Sequence, residues 1–399
     1  MTEMLLFNPF MPGFTDDPYP HYRELRDADP VQEHPMGFWF VSRHDEVADL
    51  LRANLSVEQR HLAPHPVRDS IRGEGEASLR GGGLSMLDRD PPDHTRLRRL
   101  VSKVFTPRAI EGLRPRITEL VDEAVDRLSG GGDVVAELAF PLPFAVINEM
   151  LGMPLADAER VRDLTGTLVR SLEPIADPDL VSRIRDADAE LSALCREAIA
   201  AKRAEPADDL LTALVRAEED GDVLDDDELV AQVVLLYVAG HETTVNLISN
   251  GVVALLRHPD QLRALRETPE LIGNAVEEFL RYDSPVQSGR RVTTRPVTVA
   301  DREIPAGSFV LLGQASANRD ERFWGPDADT LRLDRRDARL HVSFGAGPHH
   351  CLGAALARME AQVAIGRLVA RCPNLAQAGE IEWNGRINLR GAARVPVSV

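Results

Sequence analysis

The chain has 399 residues, 43% of them hydrophobic and 28% charged, and a net charge of −18. This balance describes a globular protein with a large core. It excludes nucleic acid as a general partner, because that affinity rests on Lys and Arg neutralising phosphates. The three cysteines, Cys195, Cys351 and Cys372, cannot all pair, which excludes a disulfide scaffold and fits a reducing cytoplasm.

The N-terminal stretch MTEMLLFNPFMPGFTDDPYP carries acidic residues, several prolines and only a short apolar run. Neither a secretion signal nor a membrane anchor is expected there, and no later segment reaches ~18 uncharged apolar residues. GFWFVS at 37–42 reads as a short strand. Residues 60–93, with RGEGEASLRGGG and RDPPDH, read as a long irregular region of the kind that forms binding loops or lids. A local basic run, HTRLRRLVSK, follows at 94–103.

Apolar spacing of three and four predicts helices over 157–172 and 178–204. The longest predicted helix covers 225–257. It opens on Asp225 with Glu228 three residues later, a capping box, and is apolar almost all round, as a buried central element is. AGHETT interrupts it. Gly240 costs ~1 kcal/mol there relative to Ala, and Glu242 places an acid in a buried stretch. A mid-helix Thr can bond back to the carbonyl four residues earlier and bend the helix. These residues by themselves leave a structural kink and a functional groove equally open.

A further helix is announced by Thr268 as N-cap and Pro269 at the first position, and it ends before Pro285. Its EEFLR places Glu278 and Arg281 on one face, an ion pair worth ~0.2–0.5 kcal/mol if exposed. Glu277, four residues from Arg281, is the competing partner. Strands are predicted at 290–299 and 308–313. The fold class is therefore mainly α with a small β portion, in a single domain over 1–399, since no linker divides the chain.

Cys195 and Cys372 read as small buried hydrophobes. Cys351 differs. In HVSFGAGPHHCLGAALARMEA, residues 341–361, Gly345, Gly347 and Gly353 let the backbone bend sharply around it. The helical run that follows puts its sulfur near a helix N-terminus, which favours thiolate. His349, His350 and Cys351 are consecutive, the wrong spacing for tetrahedral zinc. A cysteine nucleophile has no partnered base marked in the sequence. An axial thiolate to haem iron needs one protein sulfur only.

Phe344-Gly345-Ala346-Gly347-Pro348-His349-His350-Cys351-Leu352-Gly353 resembles the haem-binding loop of the cytochrome P450 family, F-G-x-G-x-H/R-x-C-x-G, at every fixed position. Other P450-like features occur in family order along nearly the whole chain, so the fold class expected is the cytochrome P450 fold. The resemblance implies haem b (iron protoporphyrin IX) with Cys351 as axial iron ligand. Glu278 and Arg281 match its E-x-x-R pair, which braces the thiolate loop. Thr330 stands where a second Arg is usual, and Arg335 is the substitute. Ala239 and Gly240 would flank an oxygen-binding groove, with Glu242 and Thr243 supplying protons. His94, Arg98, Arg291 (with Arg290 as near competitor) and His349 would meet the haem propionates.

The activity implied is monooxygenation: one atom of O2 enters a largely apolar small molecule, as hydroxylation or epoxidation, and the other leaves as water. Electrons would come from a ferredoxin or flavodoxin-like donor with its reductase, docking near Arg96, Arg99 and Lys103. Substrate contacts are expected in 60–93, around 160–185 and near 285–295. The rival readings are oxidative coupling or ring formation without oxygen insertion, peroxide-driven chemistry, and a non-catalytic P450-like scaffold.

Overall fold

The computed structural model describes residues 5–72, 81–153, 158–174, 177–219 and 221–399. Strands β1 (Val31–His34), β2 (Phe38–Val41), β3 (Gly289–Val292) and β4 (Phe309–Leu312) form the larger sheet, in spatial order β1-β2-β4-β3. β2 runs parallel to β4 and the other neighbours are antiparallel, with Arg291 opposite Val310. Ser56 and Val292 exchange two backbone hydrogen bonds, 3.0 and 2.7 Å, and so cover the free edge of β3. The strand expected over 290–299 is in fact two. β3 ends at Val292, and Val297–Val299 pairs with Arg302–Ile304 in a separate ribbon. Pro296 between them has no N–H to give a ladder.

Helices dominate, as the apolar periodicity predicts. Those that position the site are α1 (Asp93–Ser102), α2 (Arg114–Arg127), α3 (Ala158–Leu168), α4 (Pro178–Ala204), α5 (Asp226–Gly240), α6 (Glu242–Arg257), α7 (Ile272–Tyr282) and α8 (Ala354–Arg371). α4 has the predicted bounds, with Asp177 accepting from the Asp179 N–H at its start. The helix predicted over 157–172 is α3 followed by a tight 3-10 turn, Val169–Leu172, and residue 157 is outside the described residues. The Thr268 side chain caps nothing. A 3-10 turn over Pro269–Leu271 comes first, and α7 starts at Ile272. The region 60–93 is less irregular than expected. It includes a helix at Pro66–Arg72 and a turn at Gly81–Gly83, while residues 73–80 are outside the described residues. No described helix is long and apolar enough to cross a membrane.

The predicted 225–257 helix is two helices. The capping box is present: Glu228 N–H donates to Asp225 at 2.8 Å, and Asp225 N–H to Glu228 at 3.1 Å. At His241 the backbone turns to φ −83°, ψ −75°, and α6 begins anew at Glu242. Two apolar cores explain why the break falls here. Leu229–Val238 packs with α3, α4 and Phe144 in one core, and Val245–Leu255 packs with α2, α7 and α8 in the other. Residues 239–243 belong to neither.

α6 crosses its neighbours closely at Gly251, where an added Cβ would stand 2.8 Å from Ile365 and 3.0 Å from Phe279. Gly251→Val should overpack this crossing and lower stability by about 1–3 kcal/mol, read as a shifted urea midpoint with an unchanged slope.

Candidate active site

The loop before α8 is closed by the Cys351 N–H, which donates to the Phe344 carbonyl at 2.8 Å. Gly345 (φ +69°) and Gly347 (φ +68°) take left-handed conformations that glycine adopts freely. At Gly347 a side chain is also excluded by space: a Cβ would lie 2.8 Å from the Leu51 carbonyl oxygen and 2.9 Å from the Arg52 Cα. A Cβ at Gly353 would meet nothing within 4 Å, so the protein itself does not demand glycine there. α8 begins three residues beyond Cys351. Cys351 keeps accessible surface although protein crowds its other sides. Burial pushes its thiol up, opposed by the Gly353 N–H and by the charges of Arg98 and Arg358. Cys195 and Cys372 are buried, as expected of packing residues.

Basic side chains gather nearby. His94, on α1, is 3% exposed, and neither of its ring nitrogens has a partner among the described residues. Its ring is 4.1 Å from that of His349. Arg291 is buried on β3, and the hydrogen bond described for it goes to the carbonyl of its own neighbour, Arg290, at 2.8 Å. Arg98 donates to the His350 carbonyl at 2.6 Å. Burial pushes Arg291 down to about 10, with Asp90 opposing. His349 is held at about 3, by burial first and then by the charges of His94, Arg291 and Arg98. Burial and mutual repulsion thus disfavour charge on these groups, and the His349 imidazole is held neutral. The cluster fits a group that brings two carboxylates.

A second feature is the break between α5 and α6. Ala239 and Gly240 are exposed although the ten residues before them are buried, and no atom would meet a Cβ on Gly240 within 4 Å. The Thr243 hydroxyl donates to the Ala239 carbonyl at 2.7 Å, and that of Thr244 to Gly240 at 3.2 Å. These bonds answer carbonyls that the break leaves open. Glu242 forms an ion pair with Arg386 at 2.8 Å, with side chains 12% and 18% exposed. Burial raises the Glu242 carboxyl, Arg386 lowers it, and Glu173 raises it again. An accessible sulfur, a cluster of basic side chains and an exposed gap in a buried helix fit a haem: Cys351 can hold the iron, and His94, Arg98, Arg291 and His349 the propionates.

Glu278 and Arg281 are wholly buried and joined by two bonds of 2.7 Å. Arg281 also donates to the carbonyls of Asn318, Ala328 and Thr330. Arg335 Nε reaches Glu278 at 3.3 Å, and the Arg332 N–H at 2.9 Å. Thr330 enters the network through its carbonyl, not its side chain. Glu277 does not compete for Arg281. It accepts from Arg358 at 2.6 and 3.0 Å and meets His341 at 3.2 Å, and Arg358 stacks over the Phe344 ring at 4.5 Å. Arg96, expected to face a redox carrier, is instead paired with Asp222 and Glu228. Arg386, Glu173, Arg358 and the role of Glu277 were not visible in the sequence. Each depends on a contact between distant segments that no local pattern marks.

A sequence model described as cytochrome P450 matches residues 179–380. The chain is 43% identical to cytochrome P450 107B1 of Saccharopolyspora erythraea, over 97% of this chain and 96% of that one. It is also 43% identical to the vitamin D(3) 25-hydroxylase of Pseudonocardia autotrophica, over 98% and 96%. The solved structure of P450BioI in complex with hexadec-9Z-enoic acid ligated acyl carrier protein superposes with a TM-score of 0.88 at 34% identity, over 96% and 98%. The chain therefore belongs to the cytochrome P450 family and has its fold. It is a P450 monooxygenase, a haem-thiolate oxidoreductase that uses O2, a substrate and electrons from an external redox partner.

Glu278→Gln would leave Arg281 buried with its charge unanswered, and should cost about 3–5 kcal/mol in denaturant unfolding. Glu277 tests the sign of a pH effect. Burial pushes it up, but His341 and Arg358 overcome this and hold it at about 2. Its folded value is below its unfolded value of about 4.3, so its contribution is present above that value and lost as pH falls toward 2. The stability gap between wild type and Glu277→Gln should accordingly be widest near pH 7 and close progressively below about pH 5.

Proposed function

We propose that this protein is a cytoplasmic haem b monooxygenase, one domain over 1–399, that hydroxylates or epoxidises a largely apolar small molecule. Its electrons come from a ferredoxin or flavodoxin-like carrier with its reductase. The observation that carries this reading is the accessible Cys351 with Arg98 near it and His94, Arg291 and His349 grouped about Arg98, in a chain whose buried helix opens at an acid and an alcohol.

The haem, when bound, supplies the redox and O2 chemistry, which a thiolate ligand biases toward O–O cleavage. Cys351 holds the iron, its backbone fixed by the Phe344 carbonyl. Arg98 and Arg291 would neutralise the propionates, and His94 and His349 would hydrogen-bond to them. Ala239 and Gly240 admit small molecules because no side chain fills the break. Thr243 spends its proton on Ala239 and turns its oxygen lone pairs outward. It can accept a proton relayed from Glu242 and pass one on by rotating its O–H. The apolar substrate class is supported by the relatives: one is named for vitamin D(3), and the solved P450BioI carries a fatty acyl chain.

Oxidative coupling without oxygen insertion has no need of the acid–alcohol pair, and a non-catalytic scaffold has no need of Cys351. Both residue sets are present.

Two variants test the assignment, with vitamin D(3) and hexadec-9Z-enoic acid as first substrate probes. Thr243→Ala should bind haem normally and consume O2, while product formed per O2 falls by up to about 10²-fold, measured by oxygen electrode beside product analysis. Full coupling in that variant removes Thr243 from proton delivery. Cys351→Ala should lose product formation altogether.

A further inference from the structure

The C-terminal segment 384–391 reaches into the centre of the molecule, and its placement is unusually well fixed. One Glu173 carboxylate oxygen accepts the N–H groups of Ile387 (2.9 Å) and Asn388 (2.8 Å), and the other that of Leu389 (2.8 Å). The Asn388 side chain donates to the Leu172 carbonyl at 3.2 Å and accepts from the Ser288 backbone and hydroxyl at 3.0 and 2.9 Å. Asn246 of α6 donates to the Leu389 carbonyl at 3.2 Å. At Gly391 a Cβ would overlap the Asn246 side chain. The segment is thus held on one side by residues 172–173, just beyond α3, and on the other by α6.

Arg386 projects from this clamped segment. Its own N–H is bound to Asn384 at 3.0 Å, and its buried guanidinium Nη1 stands 2.8 Å from Glu242 as an ion pair, without hydrogen-bond geometry at that nitrogen. Glu173 is the other charged group whose field reaches Glu242. His241, next along the chain, is turned to the Phe140 carbonyl at 3.0 Å and itself feels Arg386 and Arg162.

We propose that Arg386 is a positioning residue for the proton-delivering acid: it fixes the direction and charge state of Glu242, and Glu173 fixes Arg386 in turn. This rests on the reading of Glu242 as that acid. It makes residues 172–173, which lie within the stretch expected to contact substrate, part of the same device. A substrate that displaces them releases the segment that carries Arg386, and with it the partner of Glu242.

The test uses Arg386→Gln, Arg386→Lys, Glu173→Gln, Glu242→Gln and the Arg386→Gln/Glu242→Gln pair, all as haem-loaded protein. Infrared difference spectra near pH 7 should show a protonated-carboxyl stretch in Arg386→Gln. That stretch should be absent from wild type, from Arg386→Lys and from the double variant. The alkaline limb of coupled product formation, where the delivering acid loses its proton, should move to higher pH in Arg386→Gln, with partial rescue by Lys and a smaller shift in Glu173→Gln. A simple loss of packing would lower melting temperature without producing the carboxyl band. If Arg386→Gln shows no carboxyl band and a wild-type pH profile while Glu242→Gln is uncoupled, the positioning role is overturned and the acid role stands. If Glu242→Gln couples O2 to product as wild type does, the acid role itself fails.

Discussion

Arg281 carries a permanent charge with no exposure to water, and the molecule is organised around answering it. Glu278 takes two of its hydrogen bonds, and three carbonyls, of Asn318, Ala328 and Thr330, take the rest. Such a pair contributes little net stability against an apolar replacement, but it specifies geometry, because every partner must stay in place. The same network runs on toward the cysteine loop. Asn318 donates to the hydroxyls of Ser284 and Ser343 and accepts the Val342 N–H. A continuous buried hydrogen-bonded path therefore leads from α7 to the start of the loop that presents Cys351.

The break between α5 and α6 depends on a different constraint. A helix packed on all sides presents no backbone and no small gap to a ligand. Here one core holds α5 and another holds α6, and the five residues between them are free of both. Polar groups that would be costly in a core sit in this gap with local answers: Thr243 on Ala239, Glu242 on Arg386, His241 on Phe140. Near the cysteine loop, both His94 ring nitrogens lack a partner among the described residues, and the hydrogen bond described for buried Arg291 goes only to its neighbour's carbonyl.

Much of this was legible in the sequence where the signal is local. The Asp225–Glu228 capping box, the bounds of α4, the glycine-rich cysteine loop and the i, i+3 pair Glu278–Arg281 each need only a few neighbouring residues. The Arg335 substitution for the missing second Arg was legible as well, and Arg335 does reach Glu278. Signals were lost where tertiary packing overrides local pattern. AGHETT announced strain, but whether the helix bends or breaks depends on two cores separated in sequence. RRVTTRPVTV alternates as one strand would, yet Pro296 and the Ser56 bridge divide it. Arg386 is one of several arginines in an irregular segment, and its partner is 144 positions away by residue number.

The central claim is that Cys351 binds haem iron as a thiolate. The most direct measurement is the absorption spectrum of the wild-type protein, reduced with dithionite and exposed to carbon monoxide. Thiolate ligation predicts the strongly red-shifted Soret band for which the family is named. A band at the position of a neutral-thiol or histidine-ligated haem, or no haem spectrum after reconstitution, would contradict it.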